Sequence, residues 1–172
     1  QFGHPRKTPL DQFQTPFMPG RNPHPREDPG GHSYGAVEDD PDPVSPADWA
    51  ECGTYLHGVD LYNAGFLWEA HEAWEALWLA SRHDPVQFGF LQGLIQVAVA
   101  FYHLGRRNLE GARSLLHEGL LKIIPHSPAF LGIELREFIA GLEVCRQTLA
   151  RLSLDTLDQV QTDRIPRMQR VG

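Results

Sequence analysis

A chain of 172 residues with 41% hydrophobic content is long enough to bury one ordinary core and gives no reason to expect a second domain. Fifteen Lys plus Arg against 22 Asp plus Glu leave a formal charge of −7, which argues against a nucleic-acid partner, since that function needs a clustered basic face. Thirteen of the fifteen basic residues are arginine, and they are scattered. The Arg106-Arg107 pair and Arg164, Arg167 and Arg170 are too sparse to track a phosphate backbone. Cys52 and Cys145 are far apart and in no metal spacing, so a reduced, cytoplasmic chain is expected. The longest apolar stretch, Gly93 to Leu104, is interrupted by Gln96 and His103 and is too short for a bilayer, so no membrane is expected as a partner. No charged-then-apolar leader opens the chain, which starts at Gln1.

Ten of the fourteen prolines precede residue 47, together with five glycines and the acidic run Glu38-Asp39-Asp40. Such a composition cannot build a core, so residues 1–45 read as an extended arm, with Phe2, Phe13, Phe17 and Tyr34 able to dock it. A helical domain is expected over 46–152, followed by a mobile tail over 153–172. Ser45-Pro46-Ala47-Asp48 has the composition of a helix start, and the first helix should run to Asn63-Ala64 and end at Gly65. The second covers Phe66 to about Ser81. Asp84-Pro85 opens the third, which runs to Leu104 and is closed by Gly105. Asn108 caps the fourth, up to Ile123, and Pro125 stops it. Ser127-Pro128 leads into the fifth, through Arg151. No stretch alternates like a strand, so the fold class is all-α: a compact bundle of about five helices stacked as antiparallel hairpins.

The segment from Trp68 to Trp78 packs three tryptophans, three glutamates and one histidine into eleven residues of strong helix formers. His71 and Glu75 lie one turn apart on one side of that helix, and Glu69, Glu72 and Glu75 form a drifting acidic row beside the apolar face. The third helix is apolar nearly all round, a central element, except for Gln92, Gln96 and His103, which share one line of its surface. Gly89, Gly93 and Ala100 run beside that line and admit a close neighbour. Buried amides and imidazoles need partners, and the expected partner is the His71/Glu72/Glu75 edge of the preceding helix.

Two templates can be tested by spacing alone. A zinc protease helix carries His-Glu-x-x-His, whereas this chain has Glu75 where the second histidine belongs. A di-iron bundle needs Glu-x-x-His on two helices, and none of the nine histidines has Glu three positions before it. Neither template fits.

Asn63-x-Gly65-x-x-x-Glu69-Ala70-His71-Glu72-x-x-Glu75-x-x-Trp78 is followed by Leu91-Gln92-Gly93-Leu94-Ile95-Gln96-x-Ala98, Tyr102-His103 and Asn108-x-x-Gly111-Ala112. In this combination the chain resembles the small all-helical prokaryotic family called domain of unknown function 309, over roughly residues 55 to 122. The resemblance implies a compact bundle of stacked helical hairpins and no particular activity.

Two functional readings follow. In the first, His71, Glu72, Glu75 and His103 hold a divalent metal, and Glu69, Gln92 and Gln96 line a small polar ligand; any catalysis would be metal-assisted hydrolysis. In the second, the cluster is a register-setting hydrogen-bond network inside a module that binds a protein partner or a second copy of itself as a homo-oligomer. The first needs the cluster to converge on an accessible space. The second needs an apolar surface.

Overall fold

The computed structural model describes residue 29 and residues 41–157 and 164–172. The expected arm, and its anchors Phe2, Phe13, Phe17 and Tyr34, fall outside the described residues. Among the described residues, five α-helices form most of the regular structure: α1 (Gly53–Asn63), α2 (Leu67–Ala80), α3 (Pro85–Gly105), α4 (Leu109–Ile123) and α5 (Arg136–Arg151). The expected all-α hairpin bundle is the fold observed.

The helix boundaries follow local chemistry. Asp84 accepts hydrogen bonds from the Val86 and Gln87 amides (3.1 and 3.3 Å) and Pro85 occupies the first turn, so α3 starts where the sequence places it. The Asn108 side chain caps α4 through the Gly111 amide (3.0 Å). After α1, Gly65 at φ +85° lets the Phe66 amide reach the Leu61 carbonyl and its own amide reach Tyr62, a Schellman closure.

Three boundaries differ from expectation. At Ser45, the Ser45 amide and hydroxyl both donate to the Asp48 carboxylate (2.7 and 2.9 Å), which fixes an isolated turn, and the α-helix begins only at Gly53. At the end of α3, Gly105 is the last helical residue, and the left-handed position falls on Arg107 at φ +63°. The Asn108 amide then bonds the His103 carbonyl and Arg107 the Leu104 carbonyl, the same closure displaced by two residues. Between α4 and α5 the chain makes one 3₁₀ turn (Ile124–His126) and a small antiparallel hairpin, β1 (Ala129–Phe130) and β2 (Ile133–Glu134). Both hairpin loop residues, Leu131 and Gly132, have positive φ, as a type I′ turn requires. The Leu131 carbonyl accepts from the buried Tyr55 hydroxyl (2.8 Å).

Residues 164–172, within the stretch read as a tail, are part of the fold. Gln169–Arg170 forms β3 on the free side of β2, and Met168 is buried. Val44, in the stretch read as arm, is buried as well.

α3 is the centre of the bundle. At 21 residues it is long and apolar enough to span a bilayer by length and composition, whereas the stretch from Gly93 to Leu104 alone was expected to be too short. Half of that window is buried inside the bundle, as befits a core helix covered by α2 on one side and α4 on another. The α3–α4 contact is a backbone approach. A Cβ on Gly93 would lie 3.1 Å from the Gly119 carbonyl oxygen, and one on Gly119 would lie 2.9 Å from the Gly93 oxygen. At α1–α2, Gly58 leaves room for the fully buried Trp74 indole, whose Nε1 donates to the Tyr55 carbonyl (3.3 Å).

The crossing makes a two-sided stability prediction. Gly119→Ala should cost about 1–3 kcal/mol in urea unfolding, because overpacking against backbone outweighs alanine's helix preference. Gly89→Ala, also within a helix but with no atom within 4 Å of the added methyl, should instead gain about 0.5–1 kcal/mol. If both glycines respond with the same sign, the close-approach account is wrong.

The His126 ring lies between Phe90 and Phe130, with centroids at 5.2 and 4.5 Å, and burial lowers its pKa. With a lowered folded pKa the unfolded chain takes the proton first. The contribution of His126 is therefore complete above its unfolded pKa of about 6.5 and is lost as pH falls through the folded value. The melting temperature should drop on acidification below about pH 6.5, and less so in His126→Asn. Identical acid-side slopes for the two proteins would clear His126 of the effect.

Candidate functional site

α2 brings its aromatic and acidic residues against α3 as expected. Trp68 rests on Tyr102 (centroids 5.1 Å apart) and Trp78 stacks on Phe88 (4.7 Å). Neither tryptophan is broadly exposed, and Trp74 is fully buried, so α2 presents no tryptophan patch to a partner. Glu69 is buried at 5% exposure, near Tyr102, and Glu72 is half-buried. Burial raises the pKa of the Tyr102 phenol, Arg106 opposes that through charge and a hydrogen bond, and Glu69 reinforces it. The Arg106 guanidinium also sits 5.7 Å over the Tyr102 ring.

The two histidines are engaged locally. His71 Nδ1 contacts the Trp68 carbonyl at 2.5 Å, and a carbonyl can only accept, so Nδ1 carries the proton. Its Nε2 faces Glu75 at 3.9 Å, an ion pair only in the protonated ring, and Glu75 is half exposed. His103 Nδ1 takes a 3.4 Å hydrogen bond from the Asn108 amide nitrogen, whose oxygen caps α4. Burial and then Arg106 lower the pKa of His103, which favours the neutral ring that accepts this bond.

The polar line of α3 points elsewhere than expected. Gln96 donates to Glu118 (3.0 Å) and accepts from Lys122 (2.9 Å), both on α4. The Gly93–Gly119 approach brings α4 against that side of α3, whereas α2 covers the neighbouring face that carries Phe88 and Tyr102. Gln92 is half-buried on α3. His71, Glu72, Glu75 and His103 are not gathered into one coordination sphere. Among the described residues no three or more His, Cys, Asp or Glu side chains form a group able to hold a metal ion.

A different feature has the shape of a binding site. Between α5, the end of α3 and residues 164–169 lies a groove of 840 Å³, within the usual range for ligand pockets. Its apolar surface comes from Phe101, Leu104, Phe138, Leu149 and Leu152. It carries charge of both signs, from Glu134 at the end of β2 and Glu137 at the start of α5, and from Arg164 and Arg167 on the facing segment. The Cys145 thiol, which burial pushes up in pKa, lies on its α5 side.

Each wall has an identifiable support. The Glu134 carboxylate accepts from the Arg136 and Glu137 amides (2.9 and 3.1 Å) and caps α5. Arg113 of α4 reaches the Leu149 and Leu152 carbonyls (2.7 and 2.5 Å) at the other end of α5. The opposite wall is held by α1: Asn63 bridges both backbone groups of Met168 (2.9 and 2.8 Å), Tyr62 donates to the Pro166 carbonyl (2.9 Å), and Arg170 pairs with Asp60 (2.6 Å). Gly141 admits this wall, since a Cβ there would lie 2.9 Å from Pro166. The sequence reading missed the groove. Its only local signal was a run of small residues, Ala140-Gly141 and Val144-Cys145, on a helix that otherwise looks like an ordinary surface helix.

Residues 55–115 match the family model described as Domain of unknown function (DUF309). No protein of curated function matches the chain. The matched span runs from Tyr55 in α1 to Leu115 in α4, so it contributes only the end of α3 to the groove directly.

Asn63→Ala should release the C-terminal wall. Losing two hydrogen bonds to a buried strand backbone should cost about 2–3 kcal/mol. Amide exchange should accelerate at Met168 and Val171 while α3 amides keep their relative protection. Unchanged exchange at Met168 would show that the bridge does not hold the wall.

Proposed function

From a chain whose residues 55–115 match the DUF309 family model, we propose a binding module that is not an enzyme. Its working surface is the groove between α5 and residues 164–169, and its ligand is a protein segment with an apolar face and charged flanks. The observation carrying this reading is the 840 Å³ groove itself, with an apolar floor and acidic and basic groups at its edges. Of the His/Glu/Gln cluster, the other candidate, three members already spend hydrogen bonds inside the bundle: His71 on Trp68, His103 on Asn108, Gln96 on Glu118 and Lys122. Such bonds brace helices and leave these three side chains little with which to bind a substrate.

The groove can be probed with anilinonaphthalene sulfonate, whose rings suit the apolar floor and whose sulfonate suits Arg164 and Arg167. The native protein should bind the dye saturably. Thr148→Trp, a bulky group on an exposed lining position, should weaken binding by about fivefold or more. Leu79→Glu, an equally exposed site on α2, should leave it unchanged. Dye binding indifferent to Thr148→Trp would place the apolar site elsewhere and end this reading.

A further inference from the structure

We infer that the partner at this groove is a second copy of the same chain, with the two α5 helices packed antiparallel across a two-fold axis at Val144. The inference rests on the groove being the binding surface and adds the identity of its occupant.

The exposed face of α5 carries the spacing of a helix-packing seam. Glu137, Ala140, Val144, Gln147 and Arg151 recur at intervals of three and four, and all five are exposed. The middle of this seam is small or apolar, with Val144 at 63% exposure, a position an isolated surface helix gains nothing by filling with valine. Paired helices pack through apolar side chains along their seam, and opposite charges flanking it set the partner and its orientation.

The charges are complementary to themselves. Glu137 lies seven residues before Val144 and Arg151 seven after it. An antiparallel copy centred on Val144 therefore sets Glu137 against the partner's Arg151, and Arg151 against the partner's Glu137. A two-fold interface repeats each contact, so the pairing forms twice. The same register opposes Ala140 to the partner's Thr148, and no like charges meet along the seam. Glu137, Val144 and Thr148 of this interface also line the groove, so the second copy covers its α5 side.

Sedimentation velocity on the full chain over a dilution series tests this. The wild type should be a reversible dimer. Val144→Glu, which places two carboxylates on the axis, should be monomeric at every concentration. Glu137→Arg and Arg151→Glu should each weaken dimerisation by about tenfold or more, and the combined Glu137→Arg/Arg151→Glu chain should recover it to within about threefold. All three positions are exposed, and far-UV circular dichroism checks that each variant folds. A wild type that stays monomeric overturns the inference, as does a dimer indifferent to Val144→Glu or a charge swap without recovery. The dye measurement, made at dilutions where the chain is monomeric so that no second copy covers Thr148, separates the two levels: a wild type that is monomeric at every concentration and binds dye through Thr148 overturns the two-fold partner and leaves the groove as a binding site, whereas a monomer that binds no dye there overturns both.

Discussion

The contact between Gly93 and Gly119 is the constraint on which the rest of the bundle depends. α3 is apolar around most of its circumference, and a helix of that kind is stable only when neighbours cover it on several sides. α2 covers one face with the aromatic rings of Trp68 and Trp78. α4 covers another without rings, by bringing its backbone so close that neither glycine could carry a methyl group without displacing a carbonyl. This approach fixes the height and rotation of α4, and α4 in turn supplies Arg113, which holds the last carbonyls of α5. It also aligns Gln96 with Glu118 and Lys122, so this member of the polar line of α3 is satisfied at the same interface that its small residues make possible. The groove thus depends indirectly on two missing side chains in the core.

Most of the bundle could be read from the sequence because its signals are local. Asp84-Pro85 and Asn108 cap helices by themselves, and Gly65 supplies a left-handed residue where α1 ends. The run ending in Gly105 was misleading: there the left-handed residue is Arg107, whose guanidinium also bonds the Leu154 carbonyl. That long-range contact, formed only after α5 has docked, is absent from the local pattern. The hairpin was hidden for a related reason. A type I′ turn is announced by Asn-Gly or Asp-Gly, and here its first position is Leu131, held at positive φ because its side chain is buried and its carbonyl is taken by Tyr55. Ser45-Pro46-Ala47-Asp48 has every residue of a helix start, yet the Ser45 hydroxyl spends itself on Asp48, and only a turn results.

The candidate site was legible in its residues and misread in its partners. Helical periodicity correctly put His71 beside Glu75 and gathered Gln92, Gln96 and His103 on one line. Periodicity cannot say which neighbour a line faces, and a rotation of α3 by a fraction of a turn decides between α2 and α4. The glycines already contained that information, since a stripe admitting the closest neighbour must face the closest helix, and Gly93 and Gly119 complement each other. The groove was less legible still. One of its walls is residues 164–169, far along the chain, whose place is set by the side chain of Asn63 more than a hundred residues earlier.

That distance bears on how the molecule divides its work. The span from Tyr55 to Leu115 contains the dense cluster of tryptophan, glutamate and histidine, and His71, Gln96 and His103 already spend hydrogen bonds inside the bundle. Side chains engaged in this way are a poor place for a ligand to compete. The remainder of the chain, α5 and residues 164–172, has the opposite character. It is anchored to the first part by a few directional bonds from Tyr62, Asn63, Asp60 and Arg113, and it leaves Val144 and Leu154 in water. A rigid scaffold that satisfies itself can carry a surface that does not, and the unsatisfied surface is where a partner gains most by binding.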